Sequence, residues 1–355
     1  MNKRIKIRSD ERPDKLIFLL IAVVMILSML FVSCSLGKRM DEKDGSENKT
    51  FIVASFYVMY DFAAKIGGDK VKVVNLLPSG SDPHSWEPSP KDIIKIENAD
   101  IFIYNGAGME NWVHKVLNSI ENKDLIVLET SKGINLLKGI HSHEYENEKQ
   151  EHEDYQEPDK GYQNEDGEKH KEDELSELYD PHVWLDPMLA KMQMKAIADT
   201  LVEFDPHNAD YYRNNFERYS KELDKLDEEY KEAISNFVKK DIVVSHEAFG
   251  YLCSAYGLNQ IGISGLDAEA EPTASRMVEV ANFVKKNNIS VIFFDNMVSP
   301  RVAQTIADAT GAKVGILNPI ASLSQKEIEE GKDYFVIMRE NLESLKKALG
   351  NDDNG

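Results

Sequence analysis

The stretch Ile242-Val243-Val244-Ser245-His246-Glu247-Ala248-Phe249-Gly250-Tyr251 packs the end of a strand, a turn and the start of a helix into ten residues. Three β-branched apolar residues in a row suit a short strand buried on both faces. A helical pattern follows near 247–256, and a second apolar run at 260–263 reads as the next strand. A strand returning beside its predecessor through a helix is a parallel crossover unit. Downstream, strands at 291–294 and 314–317 alternate with helical patterns near 273–287, 299–309 and 333–348. Upstream, strands at 51–55, 71–77, 101–104 and 125–128 alternate with helices near 57–66, 90–97, 109–120 and 187–203. The fold class expected is therefore α/β, with two parallel-sheet lobes.

Between the lobes runs a long helical pattern. Asp205-Pro206 sets a capping residue before a first-turn proline, and Tyr212, Phe216, Tyr219, Leu223, Leu226, Tyr230, Ile234 and Phe237 then recur at steps of three and four. The spacing predicts one helix over about 32 residues, a rod of roughly 48 Å. With a single apolar stripe, such a rod can lie along both lobes and fix their relative orientation.

The chain has 355 residues with 42 Lys and Arg against 62 Asp and Glu, a net charge of −20. Binding to a nucleic-acid backbone needs clustered cations, so the composition argues against a nucleic-acid partner. Two cysteines, Cys34 and Cys253, can build neither a disulfide framework nor a four-thiolate zinc site. Cys253 reads as a small buried apolar residue.

The charge is unevenly spread. Residues 1–15 carry six cations and three anions, and 16–32 is a run of 17 residues without charge. This is the layout of a secretory signal, although a run of that length also lies at the short edge of what spans a bilayer. Residues 35–49, rich in Gly, Ser and charge, suit a flexible tether. Residues 141–174 hold 14 acids, 4 lysines and 4 histidines, His141, His143, His152 and His170, a local charge of 4 − 14 = −10. So polar a segment reads as a disordered insertion, either a merely solvated acidic loop or a weak collector of cations.

The chemical signal lies in three other histidines. The string Asp-Pro-His-x-Trp occurs twice, ending in His84-Ser85-Trp86 and His182-Val183-Trp184. Proline stiffens the chain just before each imidazole, and a neighbouring carboxylate or carbonyl is placed to hold the other ring nitrogen. His246 falls directly after a strand, where ligand sites of open α/β sheets form, and a following helix N-terminus would disfavour its imidazolium. The three can meet only across a cleft between the lobes. Three imidazoles with one position open suit zinc better than magnesium or calcium. His114 and His207 read as ordinary surface residues.

Taken together, several segments resemble the zinc-binding solute-binding lipoproteins of metal ABC transporters, in the cluster A-I zinc and manganese family. These are the leader Phe31-Val32-Ser33-Cys34, Pro78 to His84, the acidic insertion before Asp180-Pro181-His182-Val183-Trp184-Leu185-Asp186-Pro187, the long linking helix, Ser245 to Tyr251, and Glu271-Pro272-Thr273 onward to Leu317-Asn318-Pro319. The resemblance spans nearly all of 50–349 and implies two lobes rigidly joined by one helix. It also implies a Zn2+ ion carried between them by His84, His182 and His246, and delivery to a membrane ABC permease. Phe31 to Cys34 is similar to a lipobox, with Phe31 where the pattern usually has Leu. This implies cleavage before Cys34 and a monomer anchored in the lipid bilayer on the extracytoplasmic face through that residue.

The implied organisation is a signal peptide over 1–33, a tether over 34–49, a first lobe over 50–205, a linking helix over 206–239, a second lobe over 240–349 and a tail over 350–355. Where the family commonly has Asp, this chain has Asn318, a possible fourth ligand through its neutral carbonyl oxygen. The strand ending at Phe294-Asp295 also departs from the family's frequent Glu. Manganese-binding relatives usually place Glu where this chain has His246, so nitrogen at that position favours zinc. The competing readings are a manganese-binding homologue, a surface adhesin or scaffold with structural zinc, and a zinc hydrolase. The last is weakened because Gly250 stands where His-Glu-x-x-His needs its second histidine.

Overall fold

The computed structural model describes residues 49–139, 179–266, 270–295 and 299–350, all within one compact unit. The predicted leader with Cys34, the tether as far as residue 48 and the acidic insertion with His141, His143, His152 and His170 lie outside the described residues.

The first lobe is built on a four-stranded parallel sheet in the order β2-β1-β3-β4, formed by Thr50–Ala54 (β1), Val71–Asn75 (β2), Ile101–Tyr104 (β3) and Ile126–Glu129 (β4). Its register is set by pairs such as Ile52 with Val73 and Phe102 with Val127. The second lobe repeats the plan as β6-β5-β7-β8, from Asp241–Val244 (β5), Asn259–Gly262 (β6), Val291–Phe294 (β7) and Lys313–Ile316 (β8). In each sheet the strand order reverses beside the lobe's first strand, β1 or β5, and the crevice above such a reversal is where open α/β sheets bind ligands.

Helices cover both faces. α1 (Tyr57–Gly67), α4 (Pro187–Phe204), α5 (Ala209–Ser235) and α10 (Tyr334–Leu349) pack on the inner side. One apolar core there runs from Ile52 and Phe62 of the first lobe through Trp184, Tyr212 and Tyr230 to Val244, Tyr334 and Leu345 of the second. Two smaller cores close the outer faces, one around Val53, Phe102 and Trp112 and one around Val243, Val280 and Ile292. The outer helices include α2 (Pro90–Glu97), α3 (Val113–Leu117), α7 (Ala274–Lys286) and α8 (Arg301–Thr310). The second lobe also has the predicted α6, here Gly250–Tyr256, and a short α9 (Gln325–Glu329); only α9 was not revealed by the sequence pattern.

The linking helix α5 has 27 residues, a rod of about 40 Å, shorter than the sequence predicts. Its predicted first turn is a separate 3-10 turn, Pro206–Asn208. Asp205 Oδ2 accepts from both Asn208 Nδ2 and the Tyr212 hydroxyl, which ties that turn off as a cap. The buried stripe Tyr212, Leu223, Leu226, Tyr230 and Ile234 faces the core, and Phe237 stays buried beyond the helix end. The predicted helix over 109–120 shrinks to Val113–Leu117, and Gly106, Ala107 and Gly108, all at positive φ, form a turn before it.

The lobes are joined by more than α5. The indole N–H of Trp184 donates to the Pro319 carbonyl at 2.7 Å, and the Tyr334 hydroxyl donates to the Trp184 carbonyl at 2.7 Å. Ser79 donates to the Leu323 carbonyl, and Gly80 N–H donates to the Ser322 hydroxyl.

Candidate metal centre

All three predicted histidines are drawn to the carboxyl ends of the two sheets. His84 lies in the turn after β2, half-buried, with its backbone N–H donating to Asp82 Oδ1 at 2.9 Å. His182 begins the short 3-10 turn Val183–Leu185 that leads into α4. His246 follows β5. The Nε2 atoms of His84 and His182 face each other at 3.1 Å. Two nitrogens bound tetrahedrally to one zinc sit about 3.3 Å apart, so this pair already has the spacing of co-ligands. Their ring centroids are 5.1 Å apart, and His246 stands 5.7 Å from His182. Among the described residues no group of three His, Cys, Asp or Glu side chains is already closed enough to hold a metal outright. Two imidazoles are in place, and the third ring stands slightly further off.

Burial decides the protonation state. His182 is 1% exposed and His246 2%, and loss of solvent holds both rings below the ordinary 6.5, helped by repulsion from the neighbouring imidazoles. Both are therefore neutral near pH 7, which is the form that coordinates a metal. For His246 this replaces the helix-dipole argument, because α6 begins four residues later than the imidazole, at Gly250. Residues 246–249 form a turn instead, in which Glu247 N–H donates to the Gly265 carbonyl, Ala248 N–H to the His246 carbonyl and Phe249 N–H to Gln260 Oε1.

The surroundings orient the rings. Asp180 Oδ1 accepts from His182 Nδ1 at 2.8 Å and from its backbone N–H at 2.9 Å, which turns Nε2 toward His84. Burial pushes the Asp180 carboxyl up to about 7, against the pull of the His182 N–H and of His84. His246 Nδ1 makes no hydrogen bond and lies 3.9 Å from Asp295 Oδ2. A dry imidazole nitrogen beside a buried carboxylate suits a cation.

Sequence reasoning missed a second group of residues that holds the Asp180-Pro181-His182 segment from inside the first lobe. Asn105 Nδ2 donates to the Pro181 carbonyl at 3.0 Å, and its Oδ1 accepts from Gln193 Nε2. Glu110 braces Asn105 in turn, accepting from the amides of Asn105 and Gly106 and from the Ser55 hydroxyl. Its carboxyl is pushed up to about 7 by burial. Only Asn105 and Glu110 are polar in the Asn-Gly-Ala-Gly-Met-Glu stretch after β3, so the sequence carried no clear signal for this group.

Asn318 is engaged elsewhere. Its Oδ1 accepts from Ile320 N–H at 2.7 Å, its Nδ2 donates to Glu327 Oε1, and it lines a groove with Glu327, Lys332 and Arg339. It holds Ile320, a β-branched residue at φ 64°, in the left-handed region. Cys253 is a free, buried thiol, as its apolar setting implies.

A family model described as "ZnuA: Zinc-uptake complex component A periplasmic" matches residues 52–348. The chain belongs to that family. The high-affinity zinc uptake system protein ZnuA of Bacillus subtilis is 36% identical over 327 residues, 92% of this chain and 96% of that protein. The zinc-binding lipoprotein AdcA of Streptococcus pneumoniae is 34% identical over 91% of this chain, which spans only 59% of that relative's length. The Zn(II)-bound ZnuA-like domain of Streptococcus pneumoniae AdcA superposes with a TM-score of 0.68 at 33% identity, covering 85% of this chain and all of the domain. The ZnuA-type architecture of two parallel α/β lobes is thus the fold of this chain.

Proposed function

We propose that the chain captures Zn2+ outside the cytoplasm, between its two lobes, and hands it to the permease of a metal ABC transporter. The observation that carries this is the approach of His84 and His182, Nε2 to Nε2 at 3.1 Å, with both buried rings of His182 and His246 kept neutral. Zinc is cargo here. His84, His182 and His246 supply three nitrogens, and the Asp295 carboxylate or a water completes the shell.

In this reading the protein is a carrier and not a catalyst. It is a monomer anchored in the membrane through Cys34, with 1–33 removed and 34–49 as its tether. The insertion with His141, His143, His152 and His170 gathers zinc weakly without being the transport site. Metals that prefer all-oxygen shells are disfavoured by three imidazoles.

The test is a zinc titration against a chelating competitor on the full chain and its His84→Ala variant, with metal counted by mass spectrometry. One tight zinc per wild-type chain, lost in the variant, is expected. An unchanged tight site in His84→Ala would place the metal elsewhere.

A further inference from the structure

We propose that Tyr251 and Gly250, at the start of α6 in the second lobe, are positioning residues for His182 of the first lobe and act on it through Asp180. The inference rests on the zinc-capture reading and adds to it a coupling between ligands.

The Tyr251 hydroxyl accepts from Leu137 N–H at 3.0 Å and donates to the Asp180 carbonyl at 2.9 Å. Those two residues also pair with each other, Asp180 N–H donating to the Leu137 carbonyl, and Lys138 bridges Tyr179 in antiparallel fashion beside them. One hydroxyl therefore fastens two first-lobe strands of chain at the point where Asp180 begins the His182 segment. Tyr251 is itself buried in the core shared by the lobes. Gly250 fixes the side chain of the same aspartate. A Cβ built at position 250 would overlap Asp180 Oδ2, so only glycine lets the carboxylate keep its place under the His182 ring.

Asp180 is thereby held at its carbonyl by Tyr251, at its N–H by Leu137, on one carboxylate oxygen by His182, and against Gly250 on the other. Tyr251 lies five residues after His246 on the same strand-to-helix segment. The segment that carries His246 thus also holds the carboxylate that orients His182.

The experiment uses the full chain with three variants, Tyr251→Phe, Gly250→Ala and Tyr256→Phe. Tyr256 is the control: it lies on the same helix, and its hydroxyl donates to Asp227 at 3.2 Å, away from Asp180. Tyr251→Phe and Gly250→Ala are expected to weaken zinc binding by tenfold or more, the usual effect of losing an outer partner of a ligand, and to alter the visible absorption of the Co2+-loaded protein. Tyr256→Phe should keep both wild-type affinity and the wild-type Co2+ spectrum. Wild-type affinity and spectrum in folded Tyr251→Phe and Gly250→Ala, or equal weakening in Tyr256→Phe, would overturn the proposal. If a His182→Ala chain kept the wild type's tight zinc, the site itself would be wrong and this inference would fall with it.

Discussion

Replacing Asp180 by Asn should move stability and zinc affinity in opposite directions. In the metal-free protein burial raises the Asp180 carboxyl from 3.8 to about 7. Between those values the folded state holds a proton that the unfolded chain has given up, so stability falls as pH rises from about 4 to 7. At 1.36 kcal/mol per unit the full penalty above pH 7 is up to about 4 kcal/mol, of which somewhat under half is already present at pH 5. Asn carries no such charge. Its buried amide beside Gly250 costs about 1–3 kcal/mol, at every pH alike.

Relative to the wild type, the metal-free Asp180→Asn chain should therefore gain about 3 kcal/mol between pH 5 and pH 8. Zinc binding should weaken by about 10- to 100-fold, because a neutral partner no longer raises the basicity of His182. Urea unfolding of the metal-free chains at the two pH values gives the first quantity, and competitive zinc titration at pH 7.5 gives the second. A stability difference that does not change with pH, together with unchanged zinc affinity, would refute the role assigned to this carboxylate.

Replacing His246 by Gln should make the metal-free chain less sensitive to acid, because His246 accepts a proton in the unfolded chain but resists it when folded. Relative to the wild type, the variant should gain up to about 1 kcal/mol per pH unit on acidification from pH 6.5 to 5. Thermal melts of both metal-free chains across that window check the sign, and parallel pH profiles would contradict it. Asn318→Asp should leave zinc affinity unchanged while lowering stability by about 1–2 kcal/mol, because a carboxylate replaces the amide that donates to Glu327. A gain in zinc affinity in that variant would put residue 318 at the metal.

The central strands were legible because they are short apolar runs buried between helices, such as 101–104 or 291–294, where periodicity and burial agree. Helix limits were less legible. α6 begins only at Gly250, after a turn in which the amides of Glu247 and Phe249 donate to Gly265 and Gln260, partners that the local sequence does not show. The repeated Asp-Pro-His string pointed to His84 and His182 because the local chain stiffens each ring. It could not show that Asp180 accepts from the ring of its histidine as well as from the backbone N–H, since that depends on how the buried ring packs. The contacts of Asn318 were not legible, because a residue type at a family position carries no information about its rotamer or about Glu327 nine residues away. Asn105, Glu110 and Tyr251 act on His182 from 77, 72 and 69 positions away along the chain, beyond any local pattern.

The shared interior around Trp184 has a consequence for how the molecule comes apart. Neither lobe owns that interior: Phe56 packs on the indole from one side, while Pro319 and Tyr334 grip the same residue from the other. A half-molecule cut after Phe204 would leave Trp184 and the inner faces of α1 and α4 open to water, with no partner to cover them. Heat should accordingly melt both halves in a single transition, and a protease that nicks α5 should release no surviving half.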